Sequence, residues 1–174
     1  MSGSQEIRSQ IASIQNTQKI TKAMEMVAAS KMKKAQDQMI KARPYADKIS
    51  NVISHLAHAH PEYTSEFFAT RDVKKKGYII ISSDRGLCGG LNNNLFKLVV
   101  ETIEEDNKSD IKPAFSLIGS KATSFFQRMG GDVMAQTAQL GDKPQIEQVL
   151  GLIKSTIDSF IRGEIDQVLS LIHI

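Results

Sequence analysis

Residues 1–60 carry apolar and small side chains at alternating steps of three and four. These positions form an apolar stripe made of Ile7, Ile11, Ile14, Thr17, Thr21, Met24, Ala28, Met32, Ala35, Met39, Ala42, Ala46, Ile49, Ile53 and Leu56. Such spacing places one residue per turn on one face of a helix. Pro44 lies within the pattern, but the stripe keeps its phase across it. We therefore expect a kink near Pro44 rather than the end of the helix.

The predicted helix is too long for the protein that carries it. At about 1.5 Å per residue it measures roughly 75 Å. A compact chain of 174 residues has a radius of gyration near 16 Å and a body only about 40 Å across. We therefore expect the helix to project, with its apolar stripe uncovered unless a partner lies against it.

The pattern changes from Gly77 onward, where short apolar runs alternate with segments of helical period. Strands are predicted at 78–82, at 114–118, near Val133 and from Ile165, and helices at about 93–105, 120–129 and 145–162. Leu95, Leu98, Val99 and Ile103 are expected to point inward from the first of these helices. Alternating strands and helices are typical of an α/β layer with a parallel sheet.

Four segments follow from these patterns. Residues 1–60 form the long helix, 61–76 a connection, 77–168 the α/β domain, and 169–174 an atypical tail. Because the last apolar run stops at the end of the chain, we expect a truncated or misread gene product whose tail is foreign to the domain.

Charge is unevenly distributed along the chain. The net charge is +3, yet residues 1–50 hold nine basic and four acidic side chains, a net charge of +5. A basic helix suits nucleic acid, anionic lipid or an acidic protein loop, and a plain solvated face is an equally good interpretation. No run is long and apolar enough to span a bilayer, and no signal peptide is evident. The single cysteine, Cys88, suits a reducing compartment.

The loop after the first strand is the sharpest local motif. It runs from Ser83 to Asn92 and contains Gly86, Gly89 and Gly90. Open α/β sheets place ligands at such a position, so a phosphate cradle is one interpretation. The spacing does not match the dinucleotide or P-loop patterns. A tight turn or a partner-contact surface is the favoured interpretation.

Other candidates for chemistry are weak. His55, His58 and His60 cluster near the end of the long helix and suggest a metal site, but a helix C-terminus favours histidine for its dipole alone. Cys88 follows Arg85 and precedes a helix, but no base stands beside it in sequence, so a small residue filling a tight loop is the default. The acidic run of Glu104, Glu105 and Asp106 is expected to be solvated.

Two segments carry a specific resemblance. QNTQKITKAMEMVAASKM in the long helix and GYIIISSDRGLCGGLNNNLFK after it resemble the gamma chain of bacterial F-type ATP synthase. The same order continues through RPYAD, HLAH, LIGSKATSFF and GGDV, from about Ile7 to Val168. The resemblance implies a rotor shaft that couples transmembrane ion flow to ATP synthesis by rotating inside a ring of alpha and beta subunits. Its fold would be one long helix, half of an antiparallel coiled coil, plus a Rossmann-like parallel-sheet domain.

The resemblance also implies which residues meet partners. Lys19, Lys22, Met24 and Met26 on the helix, and Arg85, Gly86 and Cys88 in the loop, would face the beta subunits. An acidic loop of the beta subunit would suit the basic helix. The epsilon subunit and the ring of membrane c subunits would lie near the α/β domain.

On this interpretation the chain has no catalytic residue, cofactor or metal of its own, binds no nucleic acid and spans no membrane. It would lie on the cytoplasmic face of the bacterial inner membrane as a peripheral subunit.

The chain departs from the family pattern in two ways. The second shaft helix is not present, and residues 169–174 do not align with the family's strand. Two other functional classes stay open, a nucleotide-binding α/β module and a basic helical adaptor for nucleic acid or membrane. The missing phosphate-loop pattern argues against the first class. The absence of aromatic residues before Tyr45 argues against the second, since stacking and interfacial anchoring use them.

Overall fold

The protein divides into two compact units, Met1–Tyr63 and Thr64–Ile174. A computed structural model describes residues 2–59, 66–68 and 70–172. His60 and Pro61, which entered the metal and connection hypotheses, lie outside the described residues.

The first unit is one helix, α1, which spans Ser2–Ala59. It continues through Pro44, as the unbroken phase of the apolar stripe predicts. From Ile7 to Leu56 the stripe advances by about 3.5 residues per step, the period of a left-handed coiled coil. Every residue from Gly3 to Leu56 is exposed. A lone helix satisfies its backbone internally, but it offers no second surface on which to bury this stripe.

The second unit is an α/β fold with a parallel sheet, as predicted. Its strands are β1 (Lys75–Ile81), β2 (Lys112–Ile118), β3 (Val133–Thr137) and β4 (Gln167–Ile172). Its α-helices are α2 (Leu91–Lys108), α3 (Ser120–Arg128) and α4 (Ile146–Ile161), and a 3-10 turn spans Glu66–Phe68. The sheet order is β3-β2-β1-β4 with every pair parallel. Each predicted strand and helix is present in the predicted order.

Strand β1 lies at the centre of the sheet. Tyr78 pairs in register with Phe115 of β2 on one side and with Leu169 of β4 on the other. Residues 169–172, expected as an atypical tail, thus form most of strand β4. Leu169 and Leu171 pack against the core that surrounds Tyr78.

An aromatic cluster fills the space between the sheet and helices α2 and α3. Phe96 stacks on Phe125 at 4.7 Å between ring centroids, and Phe115 meets Phe126 at 4.9 Å. Offset and tilted ring pairs of this kind add to the free energy gained by burial alone. The cluster fixes α2 and α3 against β2.

One predicted core residue of α2 is wrong. Leu95, Val99 and Ile103 are buried as expected, but Leu98 is 52% exposed and Phe96 is buried instead. A helix turns by about 100° per residue, so Leu98 lies one such step away from Val99 at the centre of the buried face. The predicted inward face of α2 is therefore rotated toward Leu98 and away from Phe96, relative to the face that is buried.

The expectation that Asp106 is solvated is also wrong. Glu104 and Glu105 are exposed, but Asp106 is buried and accepts hydrogen bonds from the Tyr78 hydroxyl and the Lys76 ammonium. Burial alone would raise the pKa of Asp106, but the bonds from Lys76 and Tyr78 outweigh it and lower the pKa. Burial and the bond to Asp106 raise the pKa of Tyr78 well above its ordinary value. The C-terminal part of α2 is therefore fastened to β1 by a buried polar cluster.

Removing this cluster's carboxylate should destabilise the sheet unit. Asp106→Ala leaves the buried Tyr78 hydroxyl and the half-buried Lys76 ammonium without their acceptor, and we expect a loss of about 3 kcal/mol in the free energy of unfolding. Glu105→Ala, which removes the neighbouring exposed carboxylate, is the matched control and should change it by less than about 0.5 kcal/mol. Urea denaturation followed by circular dichroism measures both. Equal effects of the two substitutions would contradict a structural role for Asp106.

Candidate partner-contact surfaces

The loop between β1 and α2 is a rigid turn anchored by an asparagine. The Ser83 amide donates to Asn92 Oδ1 at 3.1 Å, and Asn92 Nδ2 donates to Ser83 Oγ at 2.8 Å and to Cys88 Sγ at 3.3 Å. Asn92 is itself buried at the start of α2. Leu87 and Gly89 take positive φ angles of 63° and 60°. These features are those of the tight turn favoured from the sequence.

Asp84 ties this loop to two others at the carboxyl edge of the sheet. Its Oδ1 accepts from the amide and hydroxyl of Ser120, both at 2.9 Å, and from the Gln139 amide at 3.0 Å. Its Oδ2 accepts from the Leu140 amide at 3.1 Å. The bond from Gln139 is the largest influence on the pKa of Asp84 and lowers it; the bonds from Ser120 and Leu140 lower it further, against the opposing effect of burial. We call this arrangement the Asp84 clasp.

The Asp84 clasp also occupies the start of α3. The Ser120 amide there already donates to Asp84, so it is not free to contact an anion. Gly119, just before α3, serves close approach, since a Cβ there would lie 2.3 Å from the Ser82 carbonyl oxygen. Within the β1–α2 loop itself, the hydrogen bonds of Asn92 favour the tight-turn interpretation.

The residues expected to meet partners in this loop lie at its outer rim. Arg85 and Gly86 are exposed, and Cys88 is half-buried beside Asn92. The most exposed apolar residue of the loop is Leu87, at 95%, and no pattern in the sequence marks it as a contact residue. The loop and helices α2 and α3 border an open cleft of about 830 Å³.

The four helix residues expected to meet partners do not share one face. At about 100° per residue, Lys19, Lys22 and Met26 fall within roughly 60° of one another, and Met24 lies nearly opposite, on the apolar stripe. All four are exposed, Met24 at 53% and Met26 at 64%. Helix α1 therefore offers two different surfaces along this stretch, one apolar and one basic.

The metal hypothesis gains no support from the described residues. His55 is exposed on α1, the side chain of His58 and all of His60 lie outside the description, and no three metal-ligating side chains come together in the described part. Among the described helices, none combines the length and apolar character needed to cross a bilayer.

A comparison with known families decides the assignment. A family model described as ATP synthase matches residues 3–173. The chain belongs to the ATP synthase family. The match includes both the apolar stripe of α1 and all four strands of the sheet unit.

The similar curated members of the ATP synthase family are gamma chains. The chain is 53% identical over 168 residues to the ATP synthase gamma chain of Nitrosococcus oceani, with 97% of this chain and 58% of the relative covered. The gamma chains of Acinetobacter baylyi and Pasteurella multocida are each 51% identical over the same coverage. The chain therefore spans a little over half the length of these relatives.

The Asp84 clasp should make the stability of the sheet unit depend on pH. The pKa of the Asp84 carboxyl is lower in the folded state than its ordinary value of 3.8. The carboxylate therefore contributes its full stabilisation above pH 3.8, and this stabilisation is lost as the pH falls through the folded-state pKa. We expect Asp84→Asn to lower the free energy of unfolding at neutral pH and to flatten its decline at acid pH. Thermal unfolding from about pH 6 to about pH 2.5 measures this.

Asp72→Asn is the control, because Asp72 is an exposed carboxylate of the same unit. It should leave the acid decline as in the wild-type chain. A decline that Asp84→Asn leaves unchanged would show that the clasp carries no net stabilisation.

Proposed function

We propose that this chain is the portion of a bacterial F-type ATP synthase gamma subunit that supplies one shaft helix and the sheet domain. In that role it couples transmembrane ion flow to ATP synthesis by rotating inside the ring of alpha and beta subunits. It is a non-catalytic part of the complex, and the nucleotide sites lie on the ring. The identity of 53% to a gamma chain over 97% of this sequence is the observation that carries the proposal.

The apolar stripe of α1 supports a shaft helix. Its mean step of about 3.5 residues suits packing against a second antiparallel helix in a left-handed coiled coil. The stripe is rich in alanine and methionine. Alanine buries little area and methionine adapts to many surfaces, so such a stripe can bear on several neighbours without locking into one orientation.

The opposite face of α1 suits a charged partner. Lys19, Lys22 and Met26 lie together there and are exposed. An acidic loop on each beta subunit would meet this face in turn as the shaft rotates. Long-range charge attraction and steric contact, with few deep side-chain pockets, would then transmit torque.

The loop with Arg85, Gly86 and Cys88 gives the sheet unit a contact of its own with the beta subunits. The Asp84 clasp and Asn92 hold this loop in one conformation. A preorganised contact loses little conformational entropy on binding. The epsilon subunit and the membrane c ring are the remaining partners, which would place the complex at the cytoplasmic face of the inner membrane.

The rival functions have less support. A nucleotide-binding module is disfavoured because the β1–α2 loop does not match the dinucleotide or P-loop spacing. Asp84 also occupies the Ser120 amide at the start of α3. A basic helical adaptor would bind duplex DNA or anionic vesicles through phosphate contacts, which weaken steeply with salt. Affinity for either that survives about 0.2 M salt would favour the adaptor over the rotor.

Co-production with the segment of a relative that this chain does not cover tests the proposal. The chain would be made together with the remaining segment of the Nitrosococcus oceani gamma chain, in a bacterial strain that lacks its own gamma chain. We expect the two pieces to assemble with the alpha and beta subunits and to support ATP-driven proton pumping in inverted membrane vesicles. Failure of the chain to enter the complex would contradict the proposed function.

A substitution at Met26 tests how the shaft bears on the ring. Met26 is 64% exposed on the face that carries Lys19 and Lys22. In the co-produced complex, Met26→Lys should add an ion pair with the acidic loop in one rotary state and so lower the protons pumped per ATP hydrolysed. Met26→Leu is the matched control, because it keeps an apolar side chain of similar size and should pump as the wild type does. Unchanged pumping by Met26→Lys would argue against steric and electrostatic bearing at this position.

A further inference from the structure

The apolar stripe of α1 has nearly the same order of residue types from either end. Three large aliphatic residues stand at each end, two smaller residues follow inward, and methionine alternates with alanine across the middle. Reflection about a point between residues 31 and 32 brings every member to within one residue of another member. The reflected pairs are Ile7 with Leu56, Ile11 with Ile53, Ile14 with Ile49, Thr17 with Ala46, Thr21 with Ala42, Met24 with Met39 and Ala28 with Ala35, and Met32 lies at the centre.

This order is the one that suits an antiparallel pair of identical helices. A two-fold axis at the centre of the stripe reverses the direction of the second helix, so each member lies opposite its reflected partner. Large side chains then meet large ones at both ends, and small ones meet small ones between them and the methionines. In a parallel pair every residue meets its own copy, and no such order is required.

The stripe also offers enough surface for such a pair. Its large members are each between 40% and 67% exposed, namely Ile7, Ile11, Ile14, Met24, Met32, Met39, Ile49, Ile53 and Leu56. Covering them removes on the order of 600 Å² of surface per chain from water. Two chains together then bury on the order of 1,200 Å², the lower end of the range for stable interfaces. The contact is therefore large enough for a specific dimer but not for a tight one.

Charge opposes the pairing without blocking it. Residues 1–50 carry a net charge of +5, so two copies repel each other at a distance. Lys19 and Lys22 lie nearly opposite the stripe, however, and point away from a helix that covers it. Repulsion between solvated charges is screened by salt. Pairing of two copies should therefore strengthen as the salt concentration rises, whereas contacts with phosphate weaken.

We propose that the chain by itself pairs with a second copy through the apolar stripe of α1, as an antiparallel dimer centred on Met32. The dimer has a dissociation constant on the order of 10 to 100 µM, so below about 1 µM the chain is a monomer with an uncovered stripe. The proposal goes beyond the proposed function, in which a different helix covers this stripe. The second copy holds the place of that helix until the helix is present.

Sedimentation equilibrium of the full chain tests the proposal. We expect a reversible equilibrium between monomer and dimer from about 1 to about 200 µM chain, with no larger species. The dissociation constant should fall several-fold between about 0.1 M and about 0.5 M salt. A chain that stays monomeric at all these concentrations, a series of larger oligomers, or a dimer that salt dissociates would overturn the proposal.

Paired substitutions locate the contact on the stripe. Met24→Glu combined with Met39→Glu places carboxylates opposite each other twice in the dimer, and should raise its dissociation constant at least about tenfold. The matched control is Met26→Glu combined with Ile40→Glu, which adds the same charge at exposed apolar positions away from the stripe. It should leave the constant within about threefold of the wild-type value. Circular dichroism checks that both variants keep the helix, and equal dissociation constants would contradict a contact through the stripe.

Cross-linking of single cysteines determines the direction of the second copy. Cys88→Ser removes the native thiol, and Thr17→Cys, Ala46→Cys or Met32→Cys then supplies one on the stripe. With copper–phenanthroline as the oxidant, the Thr17→Cys and Ala46→Cys chains should form a disulfide when mixed but not when alone. The Met32→Cys chain should cross-link with its own copy. Efficient cross-linking of the Thr17→Cys chain alone would indicate a parallel pair and would overturn the antiparallel dimer.

The outcomes separate this proposal from the proposed function. The remaining gamma segment of Nitrosococcus oceani should dissociate the dimer, because it covers the same stripe. A dimer that persists while this segment is bound would show that the two copies meet through another surface, and would overturn the proposal. A chain that enters the complex but never dimerises removes only the dimer. A chain that dimerises but does not enter the complex removes only the rotor role.

Discussion

A helix of 58 residues can satisfy its own backbone hydrogen bonds but cannot cover its own apolar side chains. In α1 these side chains follow one another from Ile7 to Leu56 and all are exposed. Most helices in proteins owe their stability to the packing of such a face rather than to propensity alone. The stripe therefore requires a neighbour along its length, and the proposed position of α1 in a coiled coil inside a ring of subunits supplies one.

The sheet unit meets a different constraint at its carboxyl edge. Parallel sheets commonly open a crevice there in which ligands bind. Here Asp84 fills that edge with a carboxylate and joins the loops that follow β1, β2 and β3. The result is a hydrogen-bonded rim that presents Leu87 to solvent. A rim held in this way suits the proposed role of transmitting force to neighbouring subunits, because a soft contact would absorb the displacement.

The order of strands and helices could be predicted because each has its own hydrophobic period, and β1 ends in the continuous apolar run from Tyr78 to Ile81. Period alone assigns Leu98 to the inward face of α2 and leaves out Phe96. The ring that packs against Phe96 is Phe125, which comes from α3, so the sequence of α2 does not show this contact. Asp106 and Asp84 could not be assigned either. Each resembles an ordinary polar residue in sequence, and its partners lie between 28 and 56 positions away.

The candidate partner-contact residues also differ in how far the sequence alone can place them. Periodicity alone was enough to locate the apolar stripe, since all its members lie on one helix. The cleft beside the β1–α2 loop is lined by Leu87, Phe96 and Lys121 from three elements, and only the folded sheet unit brings them together. Lys19, Lys22, Met24 and Met26 are close in sequence, yet the turn of the helix separates Met24 from the other three.

Amide hydrogen exchange along α1 tests the need for a covering partner most directly. It would be measured on the chain alone and after addition of the alpha and beta subunits and the remaining gamma segment of Nitrosococcus oceani. We expect rapid exchange along α1 in the chain alone, strong protection of α1 in the complex, and little change within the sheet. Slow exchange of α1 in the chain alone, or no added protection in the complex, would contradict the claim that its stripe is built to be covered by other chains.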